Sequence, residues 1–213
     1  MNSAVDPLLV LLLLLNFFIL GTSRLGAVID GSALQGILLG VLVVVVHGGV
    51  GMQAGVVAII AILVKATLIP GLLHRAMRDA EMRREIKPIV GHVASLLLGA
   101  VATGAAVLFG RVLPLAPVHV GSLLVPASLA TVLTGFLILC TRRKAINQVV
   151  GYLVLENGIF IMGLCLLEAM PFLVEVGVLL DLLVAVFVIG IIINHINREF
   201  ASLDTARLST LKE

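Results

Sequence analysis

The chain has 213 residues, 61% of them hydrophobic and only 12% charged, with a mean hydropathy of +1.23. That composition excludes a soluble domain and marks an integral membrane protein. A formal charge of +2 gives no basis for nucleic-acid binding, and a single Tyr with no Trp leaves out the aromatic belts that anchor free-standing membrane proteins, which points to burial among partner subunits.

A first apolar run spans Pro7 to Thr22. It lacks the basic n-region and small-residue cleavage site of a secretory signal, and Asp6 precedes it, so it is expected to be a retained helix. Further runs cover Ala33 to His47, Ala54 to His74, Ile89 to Phe109, Val120 to Cys140, Val149 to Leu167 and Phe172 to Asn194. The expected fold is therefore all-α and polytopic with about seven transmembrane helices, several close to the ~20 residues a span requires. The second run is short and the weakest of the seven.

The basic residues set the expected orientation. If seven helices alternate, twelve Lys and Arg residues outside them fall on one side and only Arg111 on the other, with Lys65 inside a helix. The C-terminus is then cytoplasmic and the N-terminus outside. Arg75 to Lys87 mixes five basic with three acidic residues and reads as a solvated interfacial turn or short helix. In the fourth run His92, Ser95, Gly99, Ala102 and Ala106 form a stripe of mostly small residues, which helix packing explains.

A faint internal repeat relates Phe18 to Arg24 with Leu137 to Arg143, each followed by a glycine, Gly31 and Gly151, that opens the next helix; Gln35 then falls near Glu156. The expected organisation is two three-helix repeats: residues 1–88 as one half, 89–119 as a connector helix and loop, and 120–213 as the second half with a cytoplasmic tail.

Lys65, Glu156 and Asp181 lie deep in their helices, each about seven to nine residues from the nearer end, which at ~1.5 Å per residue places all three near the midplane. A charge there costs about 2.5–3.5 kcal/mol on insertion scales, so each needs a partner or a purpose. A shared depth favours a lateral relay or mutual pairing over a path across the bilayer. Lys65 and Asp181 sit in small-residue seams, Tyr152 and Glu156 share a helix face, and Pro70 leaves the Ala66 carbonyl free beside Lys65. Buried carboxylic acids and lysines shift toward the range where protons exchange near neutral pH, which suits proton transfer. The other reading is a structural Lys–carboxylate pair holding helices in register. Glu168 and Glu175 read as solvated carboxylates at helix ends. The five histidines read as interfacial, and Cys140 and Cys165 as buried structural thiols. No phosphate-binding loop, haem motif or cluster-binding Cys pattern is present, so no cofactor is expected and the chain is not expected to be catalytic alone.

Thr141-Arg142-Arg143-Lys144 before Gly151-Tyr152 and Glu156-Asn157-Gly158 resembles the K-type small membrane subunit of complex I and the C-type subunit of multisubunit cation/proton antiporters. Over nearly the full length, including Lys65 to Pro70 and Val174 to Ile191, the chain resembles the hydrogenase-4 component E family. The resemblance implies an accessory membrane subunit of an oxidoreductase complex of the membrane-bound [NiFe] hydrogenase type, seated in the lipid bilayer beside larger antiporter-like and hydrogenase-like subunits. It makes Glu156 a station of a lateral proton pathway, Asp181 the counterpart of a second acidic station, and Lys65 an addition of the N-terminal half. Tyr152 and Asn157 are supporting residues. The remaining classes are a purely structural scaffold, a subunit of a cation/proton antiporter complex and a free-standing transporter.

Overall fold

The computed structural model describes residues 4–47, 64–79, 89–113 and 122–166. These residues form six helical elements: α1 (Val5–Gly21), α2 (Leu25–His47), α3 (a π-helical turn Val64–Leu68 continuing as Ile69–Asp79), α4 (His92–Val112), α5 (Leu124–Thr141) and α6 (Ala145–Leu166). Helices are what an apolar chain in lipid must form, because every backbone N–H and C=O is then paired within its own segment. Among the described helices, α2, α4, α5 and α6 are long and apolar enough to cross a membrane, and α1 is a shorter apolar helix. The expected helix at Phe172 to Asn194, with Asp181, lies outside the described residues, as do residues 54–63 of the run expected to start at Ala54.

Helix α2 departs most from the sequence expectation. The run expected at Ala33 to His47 is part of a 23-residue helix that begins at Leu25. Asp30, Ser32 and Gln35 interrupt the apolar run but not the helix, because each has a partner. Ser32 Oγ donates back to the Ile29 carbonyl at 2.8 Å, and the Asp30 carboxylate meets His74 Nε2 of α3 at 2.8 Å. That contact is exposed, as expected of an interfacial histidine, whereas Cys140, expected to be buried, is exposed near the end of α5, because its side chain falls on the outward side of that helix. Helix α3 runs on past His74 to Asp79, taking in the first part of the mixed-charge segment.

Beside Lys65 the backbone is a π-helical turn, and Pro70 follows two residues after it. A proline supplies no N–H to the carbonyl four residues back, so the regular ladder cannot pass this point.

The α1–α2 and α5–α6 units share local geometry at a constant spacing of 120 residues. Thr22 N–H donates to the Phe18 carbonyl and Arg142 N–H to that of Ile138, both at 3.0 Å with extended backbone at the cap. Val28 N–H reaches Arg24 C=O at 3.2 Å and Gln148 N–H reaches Lys144 C=O at 3.1 Å. A Cβ on Gly31 would meet Ile19 at 2.9 Å and Phe18 at 3.4 Å; one on Gly151 would meet Ile138 at 3.0 Å and Leu139 at 3.1 Å.

Two apolar clusters form the core, one toward each end of the bundle. The cluster at the basic end, where Arg24, Arg142, Arg143 and Lys144 lie in the connections, includes Leu20, Ile29, Leu73, Ile138 and Val150. The far cluster includes Leu9, Leu12, Leu42, Leu124 and Ile161. Helices α5 and α6 make the closest approach: a Cβ on Gly135 would lie 2.5 Å from the Leu155 nitrogen, and one on Gly158 2.6 Å from the Val132 nitrogen. Glycine is required at both places because the obstacle is backbone, which cannot rotate away.

Gly135→Ala is expected to lower stability by about 1–3 kcal/mol through overpacking. Gly104→Ala, where a Cβ meets nothing within 4 Å, is expected to be neutral or slightly stabilising. Thermal unfolding of the detergent-solubilised protein checks the contrast.

Candidate functional site: a polar row between two apolar clusters

Each of α1, α2, α3, α5 and α6 carries one or two polar side chains between the two apolar clusters. They are Asn16, Gln35, Lys65, Thr131, Glu156 and Asn157. On α1, Leu12 of the far cluster precedes Asn16 and Ile19 of the other follows it; on α6, Val154 precedes Glu156 and Ile161 follows Asn157. The polar groups therefore share one layer, capped by hydrocarbon toward both ends among the described residues.

At the centre, Lys65 Nζ lies 3.1 Å from Glu156 Oε1, with the two side chains 9% and 4% exposed. The ammonium also donates to Asn157 Oδ1 at 3.4 Å and lies 5.4 Å from the centre of the Phe160 ring, within cation–π range. Gly36 admits Lys65 to this position, since a Cβ there would sit 3.0 Å from the Lys65 Cβ. The second carboxylate oxygen, Glu156 Oε2, is buried without a hydrogen-bond partner among the described residues. A buried carboxylate normally has all its lone pairs engaged, which singles this oxygen out among the described residues.

From Asn157 the row continues across the bundle. Asn157 Nδ2 donates to Gln35 Oε1 at 3.4 Å, Gln35 Nε2 to Asn16 Oδ1 at 2.7 Å, and Asn16 Nδ2 to Thr131 Oγ1 at 2.9 Å. Thr131 Oγ1 in turn donates to the Ala127 carbonyl at 2.7 Å. Six side chains from five helices thus form one connected network.

Glu156 and Lys65, both proposed from sequence, are brought into direct contact, and Asn157 joins them. Tyr152 is half-buried, its ring against the apolar cluster at the basic end. Asp181 lies outside the described residues. Sequence reasoning missed Asn16 and Thr131 and saw Gln35 only as a repeat position. For Gln35 and Thr131 the signal was depth, since each stands near the middle of its helix, whereas Asn16 lies nearer the C-terminal end of α1.

Arg142 belongs to the basic end. Its Nη2 donates at 2.8 Å to the Leu20 carbonyl in the last turn of α1, and Nη1 is buried without a partner among the described residues. A cation at a helix C-terminus satisfies an orphan carbonyl and complements the dipole. Burial pushes the guanidinium below its ordinary value, though an arginine stays charged in proteins.

No family model matches the chain. It is 35% identical over 160 residues to an uncharacterized protein of Mycobacterium tuberculosis, covering 74% of this chain and 72% of that one. It is also 30% identical over 154 residues to hydrogenase-4 component E of Escherichia coli, covering 71% of this chain and 70% of that protein, with the same figures for Shigella flexneri. No solved structure matches.

Lys65→Met alone leaves the Glu156 charge buried and uncompensated, and is expected to destabilise by roughly 3–5 kcal/mol. The double variant Lys65→Met with Glu156→Leu is expected to recover most of that loss. Thermal unfolding of the wild type, both single variants and the double variant measures the coupling.

Proposed function

The chain belongs to the hydrogenase-4 component E family, and from that premise we propose that it is a cofactor-free membrane subunit of a hydrogenase-like or complex-I-like assembly. Its task is to carry protons laterally, or to couple charge movements, between larger antiporter-like and hydrogenase-like subunits. The observation that carries this reading is the Lys65–Glu156 pair at 3.1 Å, lying between two apolar clusters with one carboxylate oxygen that has no partner among the described residues. A group that releases and takes up protons needs a second state within reach. Here the Lys–carboxylate pair holds the charge and that oxygen supplies an outlet. The apolar clusters disfavour passage toward either end of the bundle, which leaves the membrane plane.

In this reading the chain has seven helices in two three-helix repeats joined by α4, and the shared 120-residue geometry supports it. The basic end faces the cytoplasm, as the positive-inside rule requires, with the N-terminus outside. Asp181 is a further acidic station and Tyr152 supports the helix face that bears Glu156.

In the complex assembled in its native membrane, Glu156→Gln is expected to lower proton translocation by about 100-fold, the scale for removing a required proton-transfer group. The amount of assembled complex is expected to stay near wild type. Normal translocation contradicts the relay, whereas loss of assembly favours the structural pair. The check is proton uptake by sealed vesicles, normalised to the complex present.

A further inference from the structure

The polar row has a direction, and its two ends agree on it. Thr131 has one hydroxyl hydrogen, which goes to the Ala127 carbonyl at 2.7 Å. Its oxygen can then only accept at the next contact, so the Asn16 atom 2.9 Å away must be the NH2 group. Asn16 therefore turns its carbonyl oxygen to Gln35, which must offer NH2 across 2.7 Å. Gln35 then turns its own oxygen to Asn157, and Asn157 is left with an oxygen facing Lys65. Three carboxamides in series, each a donor at one end and an acceptor at the other, join the hydroxyl to the ammonium, which can only donate and so demands the same orientation from its own end.

From this geometry we infer that Thr131 is a positioning residue for the Lys65–Glu156 pair, acting through Asn16, Gln35 and Asn157 rather than by contact. Carboxamides do not titrate in the physiological range, so the row carries orientation and not protons. Its consequence is local: the Lys65 ammonium faces two acceptors, Glu156 Oε1 and Asn157 Oδ1. Were the row reversed, the Asn157 NH2 would face the ammonium, donor against donor, and the ion pair would lose that support. Lys65 and Glu156 are the charged groups at this depth among the described residues; Asp30, His74, Arg24, Arg142, Arg143 and Lys144 lie toward the basic end. The two longest links, 3.4 Å each, both involve Asn157, which makes it the joint where the row yields first.

The inference rests on the relay reading for its functional meaning, and its test separates the two. In native membranes containing the complex, the infrared carboxyl band that disappears in Glu156→Gln marks Glu156. Thr131→Val, which keeps the shape but removes the hydroxyl, is expected to raise the ratio of protonated to ionised Glu156 by about fivefold, the equivalent of one net hydrogen bond. Thr131→Ser is expected to restore the wild-type ratio. In an Asn157→Leu background, where the row is already cut, Thr131→Val is expected to add nothing. An unchanged ratio in Thr131→Val, a Thr131→Ser that behaves like it, or an equal effect in the Asn157→Leu background overturns the inference. Normal proton translocation by Glu156→Gln overturns the relay instead and leaves the direction of the row standing.

Discussion

A lysine and a glutamate buried at mid-depth in a bilayer are each costly alone, and the arrangement of the described helices satisfies both at once. Lys65 and Glu156 are 91 residues apart in sequence and 3.1 Å apart in space, so α3 and α6 must meet at this point and with one rotation. Gly36 makes room on α2 for the lysine stem, while Gly135 and Gly158 bring α5 and α6 together around the glutamate turn. The π-helical turn ahead of Pro70 is where α3 departs from regular geometry, and it contains the lysine itself. Packing and polarity are therefore one constraint here. The small residues are where they are because the charged pair needs helices at close range.

Much of this was readable in the sequence, and the limits have physical reasons. Lys65 and Glu156 stood out because a charge in an apolar run is expensive, and counting residues from the helix ends gave their common depth. Pro70 announced the loosened turn. Helix α2 was read too short because Asp30, Ser32 and Gln35 break its apolar pattern, and only tertiary partners make those residues acceptable in a helix. Asn16 and Thr131 were missed for a related reason. A lone neutral polar residue among leucines carries a small penalty, and a threonine can satisfy itself on its own helix. Whether such residues meet depends on how the helices are rotated, which no single run of sequence specifies. Arg142 likewise counted as a loop charge, whereas it closes the end of α1 across 122 residues of sequence.

The motif from Arg142 to Gly158 now has a physical division of labour. Arg142 ties the two helical units together at the basic end, Glu156 supplies the ionisable group, Asn157 receives the orientation of the row, and Gly158 lets α5 and α6 touch. Lys65 comes from α3 and Glu156 from α6, so the ion pair joins helices far apart in sequence. An amide row sets the charge arrangement from one side, and the carboxylate oxygen without a partner among the described residues lies on the other. Under the relay proposed above, such a site passes protons to a neighbour in the membrane plane rather than to water at either surface.

That claim is tested most directly by a structure of the assembled complex at a resolution that reveals ordered water. The account predicts a chain of waters leading from Glu156 Oε2 sideways to an ionisable group of an adjoining subunit, with both apolar clusters dry. A column of water running from the Lys65–Glu156 pair through either cluster to the membrane surface would contradict it.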